Sequence, residues 1–284
     1  MKVTCIVGLR LTLGCRSDDN SRVNTPPDFP LIPSDGPARR PLQIQRRPAR
    51  TDELQSIPWL PLLLPPERAR ALAELQIGDA LPGDYVCRIG RPVTLWFGVV
   101  EGLLKMSTDN AQGNTITYAG LPPGGWFGEG TALKREPYRY NVQALRSSVV
   151  AGLPIDTFHW LLDYSIGFNR FVMKQLNERL GQFIAAREID RLSNPEVRVA
   201  RSLAALFNPV LYPGVGQVLR ITQQELAYLV GLSRQRVNEA LMALQAEGLI
   251  AVEYGGLRVL DLPALSSGVL PRVRRSGMDL LSKT

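Results

Sequence analysis

The feature that most constrains this 284-residue chain is a change in hydrophobic period near residue 158. Upstream, from Ile77 to Ile155, short β-prone runs alternate with turn punctuation at Gly83-Asp84, Gly90, Gly102, Asn110 to Gly113 and Gly124-Gly125. The runs Leu95 to Val100, Thr115 to Leu121, Asn141 to Leu145 and Val149 to Ile155 recur at the spacing of a sandwich or closed barrel, and a jelly-roll-like β-barrel is expected. Downstream, Phe168, Phe171, Val172, Leu176, Leu180, Phe183 and Ile184 recur every three or four residues, which predicts one long amphipathic helix. No second long helix is expected in the chain to cover this stripe. Its own barrel can take part of it, and the same helix of a second subunit is the natural cover for the rest, with Val172, Leu176, Leu180 and Phe183 as the expected seam. The fold class is therefore α+β, with sheet and helix segregated along the chain.

The flanks read differently. Ser17 to about Arg50 is crowded with Pro, Arg, Asp and Ser, a composition that favours a tail, so order is expected from near Thr51. Trp59 and Leu60 to Leu64 then lead through Pro65-Pro66 into a short helix, Glu67 to Leu75. The net charge of +7 is concentrated at the ends: residues 1–50 carry nine basic against four acidic side chains, and residues 266–284 carry four against one. A basic tail can raise non-specific affinity for a polyanion without naming it.

Catalytic chemistry finds little to work with. Three scattered cysteines, Cys5, Cys15 and Cys87, do not make a disulfide framework, a zinc site or an iron–sulfur cluster, so no metal is expected. The one histidine, His159, lies between aromatics with no nucleophile beside it, and a packed structural role is expected. No metal triad, nucleophile elbow or phosphate loop is present, so no catalytic residues are assigned and the chain is read as not an enzyme. No apolar run reaches the ~18 residues that span a bilayer, so no membrane partner is expected and the reducing cytoplasm is the simplest location. Leu13-Gly14-Cys15 loosely resembles a lipoprotein cleavage site. It supports an alternative reading, a membrane-anchored or exported nucleotide-binding receptor that does not bind DNA.

The most informative segment is Ile221 to Leu260. Thr222-Gln223-Gln224-Glu225 is a capping box that opens a short helix, Gly231 allows a positive backbone angle after it, and Ser233 can cap a second helix over about 233–247. Ala227, Gly231 and Val237 supply the small residue, the turn and the apolar contact of a helix-turn-helix. The exposed face of the second helix would hold Arg234, Gln235, Arg236, Asn238 and Glu239, side chains able to meet base edges and phosphates in a major groove. A strand, a Gly255-Gly256 turn and a second strand follow as a wing. Arg234, Gln235, Asn238 and Glu239 are expected at base edges, and Thr222, Gln223, Ser233 and Arg236 nearer the backbone, on double-stranded DNA.

With these residues in view, the chain from Trp59 to Leu265 resembles the Crp/Fnr family of bacterial transcription regulators. Ile221 to Asn238 carries the best match, supported by Glu247-Gly-Leu-Ile250, while Gly124-Gly-Trp-Phe-Gly-Glu129 followed by Arg139 is similar to the phosphate-binding cassette of cyclic-nucleotide-binding domains. The resemblance implies a homodimer with a sensory barrel, a dimerisation helix and a DNA-binding domain, acting through contact with RNA polymerase. The implied organisation is a basic, Pro-rich extension over 1–50, an effector-sensing barrel over 51–166, a dimerisation helix over 167–192, a winged helix-turn-helix over 193–266 and a basic tail over 267–284.

The resemblance also implies an effector pocket at Gly128, Glu129, Arg139 and Tyr140, with a cyclic nucleotide as the candidate effector. Backbone donors around Gly128 and the Arg139 guanidinium would take the phosphate, and Glu129 a ribose hydroxyl. Two departures point away from cyclic AMP itself. Tyr140 stands where cyclic-AMP-responsive members carry a small hydroxyl residue, and Phe183 and Ile184 fall where a base-contacting hydroxyl pair is expected. A different ligand or none fits better, and Arg139 also has a purely structural reading as an ion-pair partner of Glu129.

Overall fold

A computed structural model describes residues 47–109, 115–189 and 194–268. The expected extension up to residue 46 with Cys5 and Cys15, the turn Asn110 to Gly113, Ser193 and the tail from residue 269 lie outside the described residues. Within the described residues just before Thr51, Arg47 is tied on three sides. Its backbone N–H donates to Ile77 O at 3.3 Å, and its guanidinium reaches Glu53 at 2.6 Å and Asp79 at 3.1 Å. The hydrogen bond from Arg47 holds the Glu53 carboxyl below its ordinary range against the opposing effect of burial.

The helices are α1 (Thr51–Gln55), α2 (Pro65–Glu74), α3 (Glu129–Lys134), α4 (Ile155–Tyr164), α5 (Ile166–Ile189), α6 (Pro195–Ala205), α7 (Gln223–Val230), α8 (Arg234–Ala246) and α9 (Leu262–Ser267). The strands are β1 (Gln76–Ala80), β2 (Tyr85–Cys87), β3 (Leu95–Glu101), β4 (Leu104–Asp109), β5 (Thr115–Leu121), β6 (Trp126–Phe127), β7 (Asn141–Ala144), β8 (Ser148–Pro154), β9 (Val218–Leu219), β10 (Ile250–Glu253) and β11 (Gly256–Val259). Two antiparallel four-stranded sheets, ordered β1-β8-β3-β6 and β2-β7-β4-β5, share one apolar core. This is the sheet-on-sheet arrangement expected of a jelly-roll-like barrel.

That core is aromatic at the end nearest the helices. Trp96 and Trp126 pack at 4.3 Å between ring centroids, Trp59 meets Trp126 edge-on at 5.2 Å, and Phe158 and Phe168 close the cluster. Each such ring removes a large apolar area from water, about 1.5–3 kcal/mol apiece. Phe168 thereby fastens the first turn of α5 to the barrel. A break at the buried Ser165 separates α4 from α5, and its hydroxyl donates to Glu67 Oε2 at 2.8 Å.

Along α5 the apolar stripe splits in two. Phe168 and Val172 are fully buried in the barrel core, and Phe171 and Leu176 pack against it. Val172 is thus corrected from a seam residue to a core residue, and Leu176 is half-buried on the same side. The residues left open are Ile166, Met173, Leu180 and Ile184, each at least 60% exposed, with Phe183 beside them at 37%. Their spacing of seven, seven and four is that of a heptad seam.

A second core is built by α6, α7, α8 and α9 with a three-stranded sheet ordered β10-β11-β9. Asn194 starts α6 by accepting from Glu196 N at 2.8 Å, with Pro195 in the first turn. This second core rests on the barrel. Leu103 belongs to it, and Arg146 from the β7–β8 turn forms a forked ion pair with Glu225, its Nε at 2.8 Å from Oε1. Gly120 on β5 permits the close approach, since a Cβ there would lie 2.7 Å from Leu229 and 2.8 Å from Leu206.

Candidate nucleic-acid interface and barrel pocket

The interface grows from three local devices. Thr222 Oγ1 accepts from Glu225 N at 3.2 Å while Thr222 N donates to Glu225 Oε2 at 2.7 Å, closing the capping box that starts α7. Gly231 ends α7 at φ +66°, a left-handed conformation that L side chains adopt only at a cost. Ser233 Oγ then accepts from Arg236 N at 3.3 Å and starts α8. Ala227 and Val237 are buried where the two helices cross, as their sizes require.

With α8 anchored by Val237, Ala240, Leu241 and Leu244, its opposite face is left to solvent. Ser233, Arg234, Gln235, Arg236 and Glu239 are exposed, Asn238 is half-buried, and Thr222 and Gln223 stand beside them at the start of α7. The eight residues expected at DNA therefore lie at the start of α7 and in the first two turns of α8, none of them buried. Three side-chain hydrogen bonds organise this surface: Gln223 Nε2 donates to Asn238 Oδ1 at 2.7 Å, Asn238 Nδ2 to Met242 Sδ at 3.9 Å, and Gln235 Nε2 to Glu239 Oε1 at 3.1 Å. Met242, one turn beyond Asn238, is 65% exposed, and its apolar side chain gives no motif signal in the sequence. Tyr254 is fully exposed at the tip of the β10–β11 wing. Strand β9, the third strand of the wing sheet, is two residues long and too short to carry a period.

In the barrel, the four residues expected at the pocket, Gly128, Glu129, Arg139 and Tyr140, line one cavity. Gly128 opens α3 at φ +85° and Glu129 follows, almost fully buried. Arg139, however, is 77% exposed and pairs with Glu136 at 3.0 Å. It lines the same cavity as Gly128, Glu129 and Tyr140, and its ion-pair partner is Glu136 rather than Glu129. The partner of Glu129 is Arg179 of α5, which donates from Nε to Glu129 Oε1 at 2.7 Å and from Nη2 to Trp126 O at 2.7 Å. Burial alone pulls the Arg179 guanidinium down, and Glu129 beside it more than reverses that, so Arg179 stays charged. Tyr140 is half-buried, its hydroxyl 3.2 Å from where a Cβ on Gly128 would stand and hydrogen-bonded to Thr131. Burial raises its phenol well above the ordinary range, so it remains a neutral O–H. Arg179 carries no sequence signal, because it is one of several basic residues on a long helix.

Elsewhere, His159 is satisfied by donating to Ala132 O at 3.0 Å, and buried Cys87 has its thiol pushed up by desolvation. Among the described residues, no cluster of His, Cys, Asp and Glu could hold a metal ion, and no helix is long and apolar enough to cross a membrane.

Comparison with known proteins agrees with this architecture. Residues 79–165 match the cyclic nucleotide-binding domain family and residues 197–267 match the Crp-like helix-turn-helix domain family. The transcriptional regulator SdrP of Thermus thermophilus is 32% identical over 175 residues, covering 60% of this chain and 81% of its own. The cyclic AMP receptor protein of the same organism is 28% identical, covering 59% and 76%. In solved structures, FixK2 of Bradyrhizobium japonicum superposes with a TM-score of 0.56 at 15% identity, over 68% of this chain and 96% of its own, a likeness of fold. With a sensory-type barrel, a long helix and a capped, exposed recognition helix in this order, the chain belongs to the Crp/Fnr family of DNA-binding transcription regulators.

Proposed function

We propose that the chain works as a homodimer that reads an inverted-repeat operator, with α8 of each subunit in the major groove. The observation that carries this reading is the surface of α8: a helix fastened to its own core on one face and offering Arg234, Gln235, Asn238 and Glu239 on the other. Side chains near its N-terminus enter the groove first, so these four meet base edges, while Thr222, Gln223, Ser233 and Arg236 lie toward the phosphates. Arginine pairs with guanine in two hydrogen bonds and glutamate accepts from cytosine, so each half-site contains a G·C pair. The role is regulatory rather than catalytic, it is exerted in the cytoplasm, and RNA polymerase is the second macromolecular partner.

Dimerisation is supported by the open row Ile166, Met173, Leu180 and Ile184 on α5. Two such rows packed together bury about 1.5–3 kcal/mol of stabilisation per side chain. Replacing Leu180 and Ile184 by glutamate is expected to give monomers in analytical ultracentrifugation; an unchanged dimer would move the seam elsewhere. Selection of binding sites from a random DNA pool tests the reading as a whole. The expected product is an inverted repeat with half-sites about one helical turn apart. Failure to enrich any sequence would remove the operator-binding role.

A further inference from the structure

An exposed apolar side chain is ordinary on a protein surface, and what singles out Met242 is where it stands. Around it on α8 are Arg234, Gln235, Asn238 and Glu239, all polar, and Met242 itself is 65% exposed. With about 3.6 residues to the turn, it falls between Asn238 and Gln235 around the helix axis, away from the buried Val237, Ala240, Leu241 and Leu244. It is also held there. Asn238 Nδ2 donates to Met242 Sδ at 3.9 Å, so the thioether lies against the amide expected at a base edge.

That amide is the second observation. Gln223 Nε2 occupies Asn238 Oδ1 at 2.7 Å, and Met242 takes one of the two Nδ2 hydrogens. Asn238 therefore cannot make the paired donor-and-acceptor contact by which a free asparagine identifies adenine. One N–H is left for the groove. A lone donor discriminates poorly, because guanine O6 and N7, adenine N7 and thymine O4 all accept. Thymine alone sets a methyl group beside its acceptor, on the neighbouring ring carbon. Asn238 and Met242 present the matching set, an N–H with an apolar thioether next to it. We propose that Met242 is a specificity-determining residue that packs on the 5-methyl group of a thymine, while the remaining Asn238 N–H donates to O4 of the same base. This rests on the DNA-binding reading above and adds a T·A pair to each half-site, in addition to the G·C pair.

The test starts from the site that the full-length protein selects from a random DNA pool, which should hold a thymine at one fixed position of each half-site. Deoxyuridine is then placed at each thymine in turn, since it lacks only the methyl group and keeps O4. At the position read by Met242, fluorescence anisotropy should show wild-type binding weakened about fourfold per half-site, the change expected for one methyl group no longer buried. Met242→Ala should weaken binding to the thymine operator by a similar factor, bind the thymine and deoxyuridine operators equally, and relax the preference at that position in its own selection. Circular dichroism checks that the variant is folded, and if it is not, the wild-type deoxyuridine scan still decides the proposal. A wild-type Kd unchanged by deoxyuridine at every thymine overturns the proposal and leaves the DNA-binding reading intact. A folded Met242→Ala protein that discriminates the two operators as the wild type does has the same meaning. No enriched sequence at all overturns both.

Discussion

The recognition surface and the barrel pocket both carry recognisable motifs, but their side chains are held in place over very different distances along the chain. The difference lies in how far along the chain each site reaches. On the recognition surface every orienting contact is local: Thr222 with Glu225, Ser233 with Arg236, and Gln223 with Asn238 only 15 residues apart. Caps and a left-handed glycine fix such geometry almost independently of the rest of the protein. In the pocket the decisive contact joins Glu129 to Arg179, 50 residues away on a different element. A motif that names Glu129 and Arg139 cannot tell which arginine the tertiary fold delivers to the carboxylate.

The comparison can be broken most forcefully at its two arginines. Arg179→Ala leaves a carboxylate buried without its cation, and its expected cost in urea unfolding is about 3–5 kcal/mol. Arg139→Ala removes an exposed pair on the surface, and the expected change is within about 0.5 kcal/mol. Equal losses for the two would mean that the buried pair contributes no more to stability than the exposed one. On the recognition surface the corresponding contrast is between Arg234 and Arg236, read in binding rather than stability. Arg234→Ala should cost about 1–3 kcal/mol of operator affinity and relax the preference at one base pair per half-site. Arg236→Ala should weaken all sequences alike and flatten the salt dependence. Sites selected by both single mutants separate the two roles, and the opposite pattern would reverse the assignment.

Much of the fold was legible because its signals are periodic or local. The runs at Leu95, Thr115, Asn141 and Val149 coincide with β3, β5, β7 and β8. The capping box at Thr222 to Glu225 starts α7 where it stands. The unread parts are short or two-faced. The six residues of α3 and the two of β9 leave no period to detect, and α4 is separated from α5 only by Ser165. The stripe on α5 is continuous in sequence, but the fold divides it, sending Val172 into the barrel and leaving Leu180 open. A hydrophobic period reports that a face will be buried; the identity of the surface that buries it is a tertiary fact.

The finest test of local assembly concerns Gln223, which donates from Nε2 to Asn238 Oδ1 at 2.7 Å. Because that oxygen is engaged and Nδ2 also donates to Met242 Sδ at 3.9 Å, the orientation of the Asn238 amide is fixed on both sides, and the second Nδ2 hydrogen suits an acceptor on a base edge. Gln223→Ala removes the donor, and the loss of one neutral hydrogen bond is about 0.5–1.5 kcal/mol. The expected outcome is a small fall in operator affinity with a blurred preference confined to the base pair under Asn238. Gln223→Glu is the sharper substitution, since a carboxylate only accepts. Asn238 would then turn its Nδ2 toward residue 223 and present Oδ1 to the groove, so the preferred base should change from one offering an acceptor to one offering a donor. Sites selected from a random pool by the two variants distinguish these outcomes. An unaltered preference in both would mean that the DNA itself orients Asn238, and that even within 15 residues the neighbouring helix does not decide what the recognition helix reads.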